Sequence, residues 1–218
     1  MTRYILNTTS VQPLSKNKPQ QAIVLCHGYG GDGKDISMLA IGWQRFLPNA
    51  IFLCPDAPER CAINPKGYQW FDLESEKDDV IFEKSLVAEE KLSKFIEQIL
   101  DNFQLQAINL ALVGFSQGCM ISIQVGLKKE QQINSLIGYS GKIINQSHLS
   151  KNINSKPKIF LMHGANDPIV PPMHLLESKE YLLKHKIKIK TKLFNNCEHR
   201  IPVEGSSLGL EFLKKNLL

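Results

Sequence analysis

Short apolar runs alternate along the chain with longer segments in which apolar residues recur at helical spacing. The runs that predict strands are residues 21–26, 50–54, 108–113, 135–139, 158–162 and 187–194. The segments that predict helices are residues 79–102, 117–129, 174–184 and 203–216. Runs that are apolar throughout are typical of strands covered on both faces. The alternation therefore predicts an α/β fold with a mostly parallel sheet and helices on both faces.

Length and composition fit one ordinary globular unit. The chain has 218 residues, of which 43% are hydrophobic and 22% charged, and we expect a single domain over residues 1–218. This composition excludes disorder, collagen and coiled coil for the whole chain. No apolar stretch approaches the roughly 18 residues of a spanning helix, and no signal-peptide pattern is present. We therefore predict a cytoplasmic protein with no integral membrane segment.

The five cysteines have neither metal-site nor redox-motif spacing. They are Cys26, Cys54, Cys61, Cys119 and Cys197. An odd number in a protein without a secretory signal favours reduced, mostly buried thiols. A Cys54–Cys61 disulfide is the minor alternative.

The net charge of +5 is concentrated near the C-terminus, where residues 142–218 carry 13 Lys and Arg against 6 Asp and Glu. Such a surface can attract anionic lipid or nucleic acid. Within residues 186–193, however, lysine alternates with Ile, Thr or Leu, which places the lysines on one face of a strand. Because no aromatic residue interleaves them, we predict a lysine-rich edge strand that resists aggregation and no nucleic-acid partner.

Residues 114–118 read GFSQG and match G-x-S-x-G between a predicted strand and a predicted helix. This is the context of a nucleophile elbow, so Ser116 is the candidate nucleophile. The amide of Gln117, at the start of the helix, is a candidate oxyanion donor. The alternative is a tight turn with an incidental serine.

An acid and a histidine follow Ser116 in the order that this type of site requires. Asp167 is the acidic residue after Ser116 that closely follows a predicted strand, so we assign it as the orienting acid; a turn aspartate is the alternative. His199 lies between the last strand and the last helix and is assigned as the general base. A zinc site at residues 197–199 lacks a companion ligand pair, and we predict no metal or other cofactor.

The glycine-rich loop of residues 26–33 comes at the end of the first strand, where the second oxyanion amide is expected. It lacks the G-K-[ST] of a P-loop, so phosphate binding is the weaker interpretation. His27 is predicted to brace this loop rather than to act as a second base.

Several blocks run in order through nearly the whole chain. They are HGYGGDGKD (27–35), PDAPE (55–59), GYQWFDL (67–73), GFSQG (114–118), YSG (139–141), HGANDPIVP (163–171) and HRIPVEG (199–205). With these blocks the sequence resembles the phospholipase/carboxylesterase family of α/β hydrolases, which includes the acyl-protein thioesterases. The resemblance implies a three-layer α/β-hydrolase fold with a minimal lid, and a serine hydrolase acting on carboxylic esters or thioesters.

Carried over by position, the resemblance implies a triad of Ser116, Asp167 and His199. It implies that the backbone amides of Cys26 and Gln117 form the oxyanion hole.

The resemblance also implies that Trp70 and Phe71 border an acyl pocket, with ordinary core packing as the alternative. The sequence departs from the family where Glu198 and Arg200 flank the base, which leaves substrate preference and pH optimum open.

The favoured function is a carboxylesterase of broad, short-to-medium acyl specificity. An acyl-protein thioesterase and a lysophospholipase are the alternatives within the enzyme class, so the expected partner is a small ester or thioester, a lipid or an acylated protein. An inactive binding protein on the same fold is the alternative from another class. Whether the chain forms a homodimer stays open.

Overall fold

The computed structural model describes residues 4–73 and 77–218. The strands within this part are β1 (Thr8–Val11), β2 (Gln21–Cys26), β3 (Ala50–Pro55), β4 (Glu59–Arg60), β5 (Tyr68–Gln69), β6 (Leu110–Phe115), β7 (Ser135–Tyr139), β8 (Lys158–Gly164) and β9 (Ile189–Phe194). The helices are α1 (Gly33–Gln44), α2 (Asp78–Phe103), α3 (Gln117–Lys128), α4 (Gln146–Ser150), α5 (Met173–Lys184) and α6 (Val203–Leu217).

A seven-stranded sheet with the order β1-β3-β2-β6-β7-β8-β9 forms the centre of the molecule. Every neighbouring pair is parallel except β1 with β3. The mostly parallel α/β sheet predicted from the apolar runs is therefore confirmed. A separate hairpin of β4 and β5 lies outside this sheet.

Two apolar layers cover the two faces of the sheet, because successive strand residues point to opposite sides. In β2, for example, Val24 belongs to the cluster that contains apolar residues of α2, α3 and α5. Its neighbour Ile23 belongs to the cluster that contains residues of α1 and α6. β2 and β3 are buried along their whole length, which explains why they are apolar throughout rather than alternating.

All six predicted strands are present, with shifts at some ends. The strand predicted from residue 108 begins at Leu110, because Ala107–Asn109 form a 3-10 turn capped by the side chains of Gln106 and Asn109. The strand predicted from residue 187 begins at Ile189. The four predicted helices are confirmed to within one residue at each end.

Helix α1 was not predicted, because its buried face carries small residues as well as large ones. Gly33, Ser37 and Ala40 are buried there beside Ile36 and Trp43, so the apolar spacing is weak. The first turn does carry a recognisable signal. The Asp32 side chain accepts a hydrogen bond from the N–H of Asp35 over 2.7 Å, as an N-cap residue does.

Strand β9 lies at the edge of the sheet, as the lysine pattern predicts. The ammonium groups of Lys190 and Lys192 lie 4.6 and 5.4 Å from the ring centres of Phe160 and Phe194. On the other face Leu193 is 45% exposed, so the apolar residues of this strand are only partly covered.

Candidate active site

Ser116 lies in the sharp turn between β6 and α3, as expected for a nucleophile elbow. Its backbone angles of φ 54° and ψ −119° fall in a region that residues with side chains rarely adopt, so the turn is strained. The N–H of Ser116 donates to the carbonyl of Tyr139 in the neighbouring β7 over 2.8 Å. The turn thus carries Oγ at the carboxyl edge of the parallel strands, where such sheets bind ligands.

The two glycines of the motif are required by close approach of the backbone. A Cβ on Gly114 would lie 2.3 Å from the carbonyl oxygen of Gly118. A Cβ on Gly118 would lie 2.1 Å from the carbonyl oxygen of Cys26. Neither distance leaves room for a carbon atom, so the elbow can form only with glycine at both positions.

Three side chains form a continuous chain of hydrogen bonds at this edge. Ser116 Oγ lies 3.0 Å from Nε2 of His199, and Nδ1 of the same ring lies 2.8 Å from Oδ2 of Asp167. Because the carboxylate can only accept, the ring proton is assigned to Nδ1. The lone pair on Nε2 therefore faces the serine hydroxyl. The order of these residues in the sequence and their contacts are those of a Ser-His-Asp site.

The carboxylate of Asp167 is buried and held by several donors. Burial acts to raise its pKa, but the N–H groups of Val170 and Ile169 and the ring of His199 outweigh burial and lower that pKa. The two backbone N–H groups donate to Oδ1, each over 2.9 Å. Asp167 is therefore ionised at neutral pH, and its other oxygen is directed at the histidine.

A second histidine, which the sequence analysis did not single out, also lies against Asp167. His163 is the penultimate residue of β8 and is 2% exposed. Its Nε2 lies 2.9 Å from the carbonyl of Val170 and 3.3 Å from Oδ2 of Asp167. Its position as the first residue of the HGANDPIVP block was the available signal.

His27 braces the loop after β2, as predicted. Its Nε2 accepts the N–H of Ala57 over 3.0 Å, and its Nδ1 donates to the carbonyl of Gly28 over 2.7 Å. Burial lowers its pKa, so the ring stays neutral. Since both ring nitrogens are occupied by backbone groups, His27 has no free site for proton transfer.

The side chain of Gln117 binds the segment that carries Trp70 and Phe71. Its Oε1 accepts the N–H of Trp70 over 3.0 Å, and its Nε2 donates to the carbonyl of Phe71 over 2.7 Å. The indole N–H of Trp70 donates in turn to the carbonyl of His27 over 2.9 Å. The G-x-S-x-G motif concerns only the backbone of Gln117 and gives no indication of this side-chain contact.

Trp70 and Phe71 are both fully buried and belong to the hydrophobic core. Neither lines the cleft next to Ser116 and His199. Their arrangement matches the alternative of core packing. Because neither side chain has exposed surface, neither offers a surface to a substrate.

The residue expected to supply the second oxyanion amide is inaccessible. Cys26 is the last residue of β2, pairs with Gly114 of β6 and has no exposed surface. The loop that follows is differently situated, because Gly28 and Tyr29 line the cleft. A Cβ on Gly28 would lie 3.3 Å from Cβ of Ser116. The loop therefore lines the cleft and approaches the side chain of Ser116, whereas Cys26 has no exposed surface.

The cleft beside His199 has a volume of about 540 Å³. Its walls are mostly apolar and come from the loop after β2, from α1 and from the start of α6. The apolar lining residues are Ile36, Met38, Leu39, Phe115, Ile201, Pro202 and Val203. The ring of Phe115 lies 4.9 Å from that of His199. Two charged residues, Arg200 and Asp35, also line the cleft, so the arginine beside the base does face the space a substrate would enter.

All five cysteines are free and buried, which confirms the prediction of buried thiols and leaves Cys54 and Cys61 unpaired with each other. Burial raises the pKa of both Cys26 and Cys119 to about 12. These thiols are therefore protonated at neutral pH and poor nucleophiles.

Within residues 4–73 and 77–218, no helix combines the length and the apolar character that crossing a bilayer requires.

Several known proteins resemble this chain over most of its length. A model of the phospholipase/carboxylesterase family matches residues 7–217. Acyl-protein thioesterase 1 of Schizosaccharomyces pombe is 26% identical over 195 residues, which cover 84% of this chain and 85% of that protein. Esterase YpfH of Escherichia coli is 25% identical over 206 residues, covering 92% and 85%. The crystal structure of esterase PE8 superposes with a TM-score of 0.93 at 30% identity, covering 97% of this chain and 99% of that one.

Proposed function

Because the chain belongs to the phospholipase/carboxylesterase family, whose members are hydrolases of esters and thioesters, we propose that it cleaves carboxylic esters through an acyl-enzyme on Ser116. The observation that carries this proposal is the unbroken chain from Ser116 Oγ through His199 to Asp167, with contacts of 3.0 and 2.8 Å. No metal or organic cofactor enters the proposed reaction.

The first half-reaction forms the acyl-enzyme. His199 takes the hydroxyl proton of Ser116 on Nε2 while Oγ attacks the acyl carbon, and Asp167 stabilises the imidazolium that results. The tetrahedral intermediate collapses with breakage of the bond to the leaving group. The imidazolium returns its proton to the leaving alcohol or thiol, and Oγ keeps the acyl group.

The second half-reaction releases the acid. A water molecule gives a proton to Nε2 of His199 as its oxygen attacks the acyl carbon, and the same proton returns to Oγ of Ser116 as the ester bond breaks. The low pKa of Asp167 supports this role, because an ionised carboxylate is needed to orient Nδ1–H and to stabilise the imidazolium.

The negative oxygen of each tetrahedral intermediate needs two donors. We assign the backbone N–H of Gln117 as one, because the first amides of a helix have no acceptor within the helix. For the second we assign the loop at Gly28 and Tyr29 in place of Cys26, since this segment borders Ser116 and the cleft whereas Cys26 has no accessible surface.

We propose short-to-medium acyl chains as substrates, and the size and lining of the cleft are consistent with them. The cleft's 540 Å³ falls within the roughly 300–1,000 Å³ typical of small-molecule sites, and its apolar walls suit a hydrocarbon chain. The name of the yeast relative favours a second candidate, hydrolysis of acyl thioesters on proteins. The same triad serves either leaving group, and a lysophospholipid is the third candidate.

A panel of p-nitrophenyl esters from acetate to palmitate, run beside a palmitoyl-thioester peptide and a lysophospholipid, separates these substrates. We expect the highest kcat/KM for short-to-medium esters. A higher kcat/KM for the thioester peptide or the lysophospholipid would replace the carboxylesterase assignment.

The Ser116→Ala variant tests the nucleophile and should lower kcat by roughly 10⁶-fold, the scale for removing a triad serine. Ser140→Ala is the matched control. Ser140 is also buried with a positive φ of 49°, and its hydroxyl has no hydrogen-bond partner among the described residues. This control should keep its activity, and retained activity in Ser116→Ala would refute the assignment.

A fluorophosphonate probe tests the site without any substrate. It should add one adduct, on Ser116, in the wild-type protein and none in Ser116→Ala. A folded wild-type protein that neither takes the probe nor hydrolyses any ester would favour the inactive binding protein.

We further propose a cytoplasmic location, which fits the five free thiols.

A further inference from the structure

His163 is a buried histidine that the proposed reaction does not use. Its side chain is 1% exposed and lies beside the fully buried carboxylate of Asp167. It also lies in β8 itself, paired in register with Leu193 of β9, so its backbone is fixed by the sheet. A titratable side chain in such surroundings needs a compensating contact, because burying a polar group without a partner is unfavourable.

The contacts of His163 determine the position of its ring proton. Nε2 lies 2.9 Å from the carbonyl of Val170, and a carbonyl can only accept, so Nε2 carries the proton. Burial lowers the pKa of His163, and the ring is therefore neutral. With its proton directed at Val170, Nε2 is a donor and has no lone pair to offer as a base.

The Nε2–H group of His163 lies close to both ends of the turn of residues 167–170, which begins with Asp167. Val170, whose carbonyl accepts from His163, donates its own N–H to Oδ1 of Asp167 over 2.9 Å. Oδ2 of Asp167, which accepts from His199, is 3.3 Å from Nε2 of His163. The imidazole of His163 thus binds a backbone carbonyl of the turn. It also borders the carboxylate oxygen of Asp167 that faces His199.

We propose that His163 is a positioning residue, which fixes the turn of residues 167–170 so that Oδ2 of Asp167 stays directed at Nδ1 of His199. This inference rests on the proposed function for its effect on rate, but the geometry it concerns exists without substrate. His163 acts through Asp167 and does not touch the reacting atoms.

Two substitutions of similar polarity distinguish the effect of moving the N–H donor from the effect of losing the histidine ring. In His163→Gln the side-chain amide nitrogen reaches about as far as Nε2, whereas in His163→Asn it reaches only about as far as Nδ1. We expect His163→Gln to keep kcat within about threefold. We expect His163→Asn and His163→Leu to lower kcat roughly 10-fold with little change in KM, the lower end of the scale for a hydrogen bond near a charged group.

His185→Leu is the matched control. Nδ1 of His185 also contacts a backbone carbonyl, that of Tyr181, over 2.8 Å, but it does so at the end of α5 and away from the cleft. This variant should keep the wild-type kcat. If it lost as much activity as His163→Leu, a general effect on stability would explain both and the proposal would be wrong.

A double-mutant cycle distinguishes positioning from a structural role. If His163 acts through Asp167, His163→Leu should cost about 10-fold in the wild-type background and nothing in Asp167→Ala, where the carboxylate is absent. An equal loss in both backgrounds, or wild-type kcat in His163→Leu, would overturn the proposal.

Proton NMR of the substrate-free protein gives a readout independent of turnover. The Nδ1–H of His199, hydrogen-bonded to a carboxylate, should give a downfield resonance that moves upfield or broadens in His163→Asn and stays in His163→Gln. An unchanged resonance in His163→Asn refutes the positioning role even if the protein is an active esterase. A shifted resonance in a protein without esterase activity supports positioning while the proposed function fails.

Discussion

Gln117 joins the start of α3 to Trp70, whose backbone N–H it accepts with 3.0 Å between nitrogen and Oε1. The same side chain donates to the carbonyl of Phe71. The amide of Gln117 thus pairs with these two backbone groups as a neighbouring strand would. Since the backbone of Gln117 is also the proposed oxyanion donor, one residue connects the packing of the Trp70 segment to the chemistry at Ser116.

We expect Gln117→Met to destabilise the fold and to slow the reaction. The substitution keeps the shape but leaves the buried N–H of Trp70 and the buried carbonyl of Phe71 without partners. Each unsatisfied group costs about 1–3 kcal/mol. Urea denaturation should show the loss in the free energy of unfolding, and kcat for a short ester should fall with it.

Gln124→Met, in the same helix, is the control for this change. Gln124 is fully buried, and neither polar atom of its side chain has a hydrogen-bond partner among the described residues. Replacing it with an apolar side chain should leave the free energy of unfolding unchanged or raise it. Equal destabilisation by the two substitutions would show that the contacts of Gln117 are not what matters.

We expect Gly118→Ala to prevent formation of the elbow. Its Cβ would lie 2.1 Å from a backbone oxygen of β2, and a backbone neighbour within a central strand cannot move aside. Thermal unfolding should show a large loss of stability or no folded protein. Gly42→Ala in α1 is the comparison, because nothing lies within 4 Å of its Cβ. That variant should gain up to about 1 kcal/mol from the better helix propensity of alanine. A native-like Tm for Gly118→Ala would contradict this account.

The buried strands, and the places where the proposed site residues lie, were predictable from sequence for the same physical reason. Strands covered on both faces must be apolar throughout, and ligands bind where parallel strands end, so Ser116, Asp167 and His199 each follow a predicted strand. Helix α1 was less visible because glycine, serine and alanine face the sheet. Strand β1 was invisible because its four residues, TTSV, form a partly exposed antiparallel edge.

The parts of the site that were missed depend on which way a side chain or an amide points. A sequence motif assigns Gln117 to the turn after Ser116 but does not reveal that its side chain reaches residues 70 and 71. The burial of Cys26 follows from its pairing with β6. The register between two strands cannot be read from the pattern of apolar residues in either one. The burial of Trp70 and Phe71 similarly depends on how an irregular segment folds back onto the core.

We expect the free energy of unfolding to fall as the pH is lowered from 7 to 5. Burial lowers the pKa of both His27 and His163 in the folded protein. In the unfolded chain these histidines bind protons near pH 6.5. The unfolded state therefore takes up more protons below that pH, and the stability that both groups contribute above it is lost. Each adds a slope of at most about 1.4 kcal/mol per pH unit.

Urea denaturation at a series of pH values measures this slope directly. The His163→Gln variant should show a shallower decline than the wild type between pH 7 and 5, because one of the two buried histidines no longer titrates. A stability that stays constant over this range, or a slope that His163→Gln leaves unchanged, would contradict the assignment of neutral buried rings.

Arg200 is exposed and lines the cleft next to His199, so it should favour substrates that carry a negative charge near the scissile bond. We expect Arg200→Gln to lower kcat/KM for the mono-p-nitrophenyl ester of succinic acid by roughly two- to fivefold, the scale of an exposed charge pair. Its kcat/KM for the neutral butyrate ester should not change. Added salt should weaken the preference in the wild type, because exposed charges are screened. Lys158→Gln is the control, because it removes an exposed cation at the start of β8, the end of that strand away from the cleft. It should leave the ratio of kcat/KM for the two esters unchanged. An equal effect of Arg200→Gln on both esters would assign the residue to the shape of the cleft rather than to its charge.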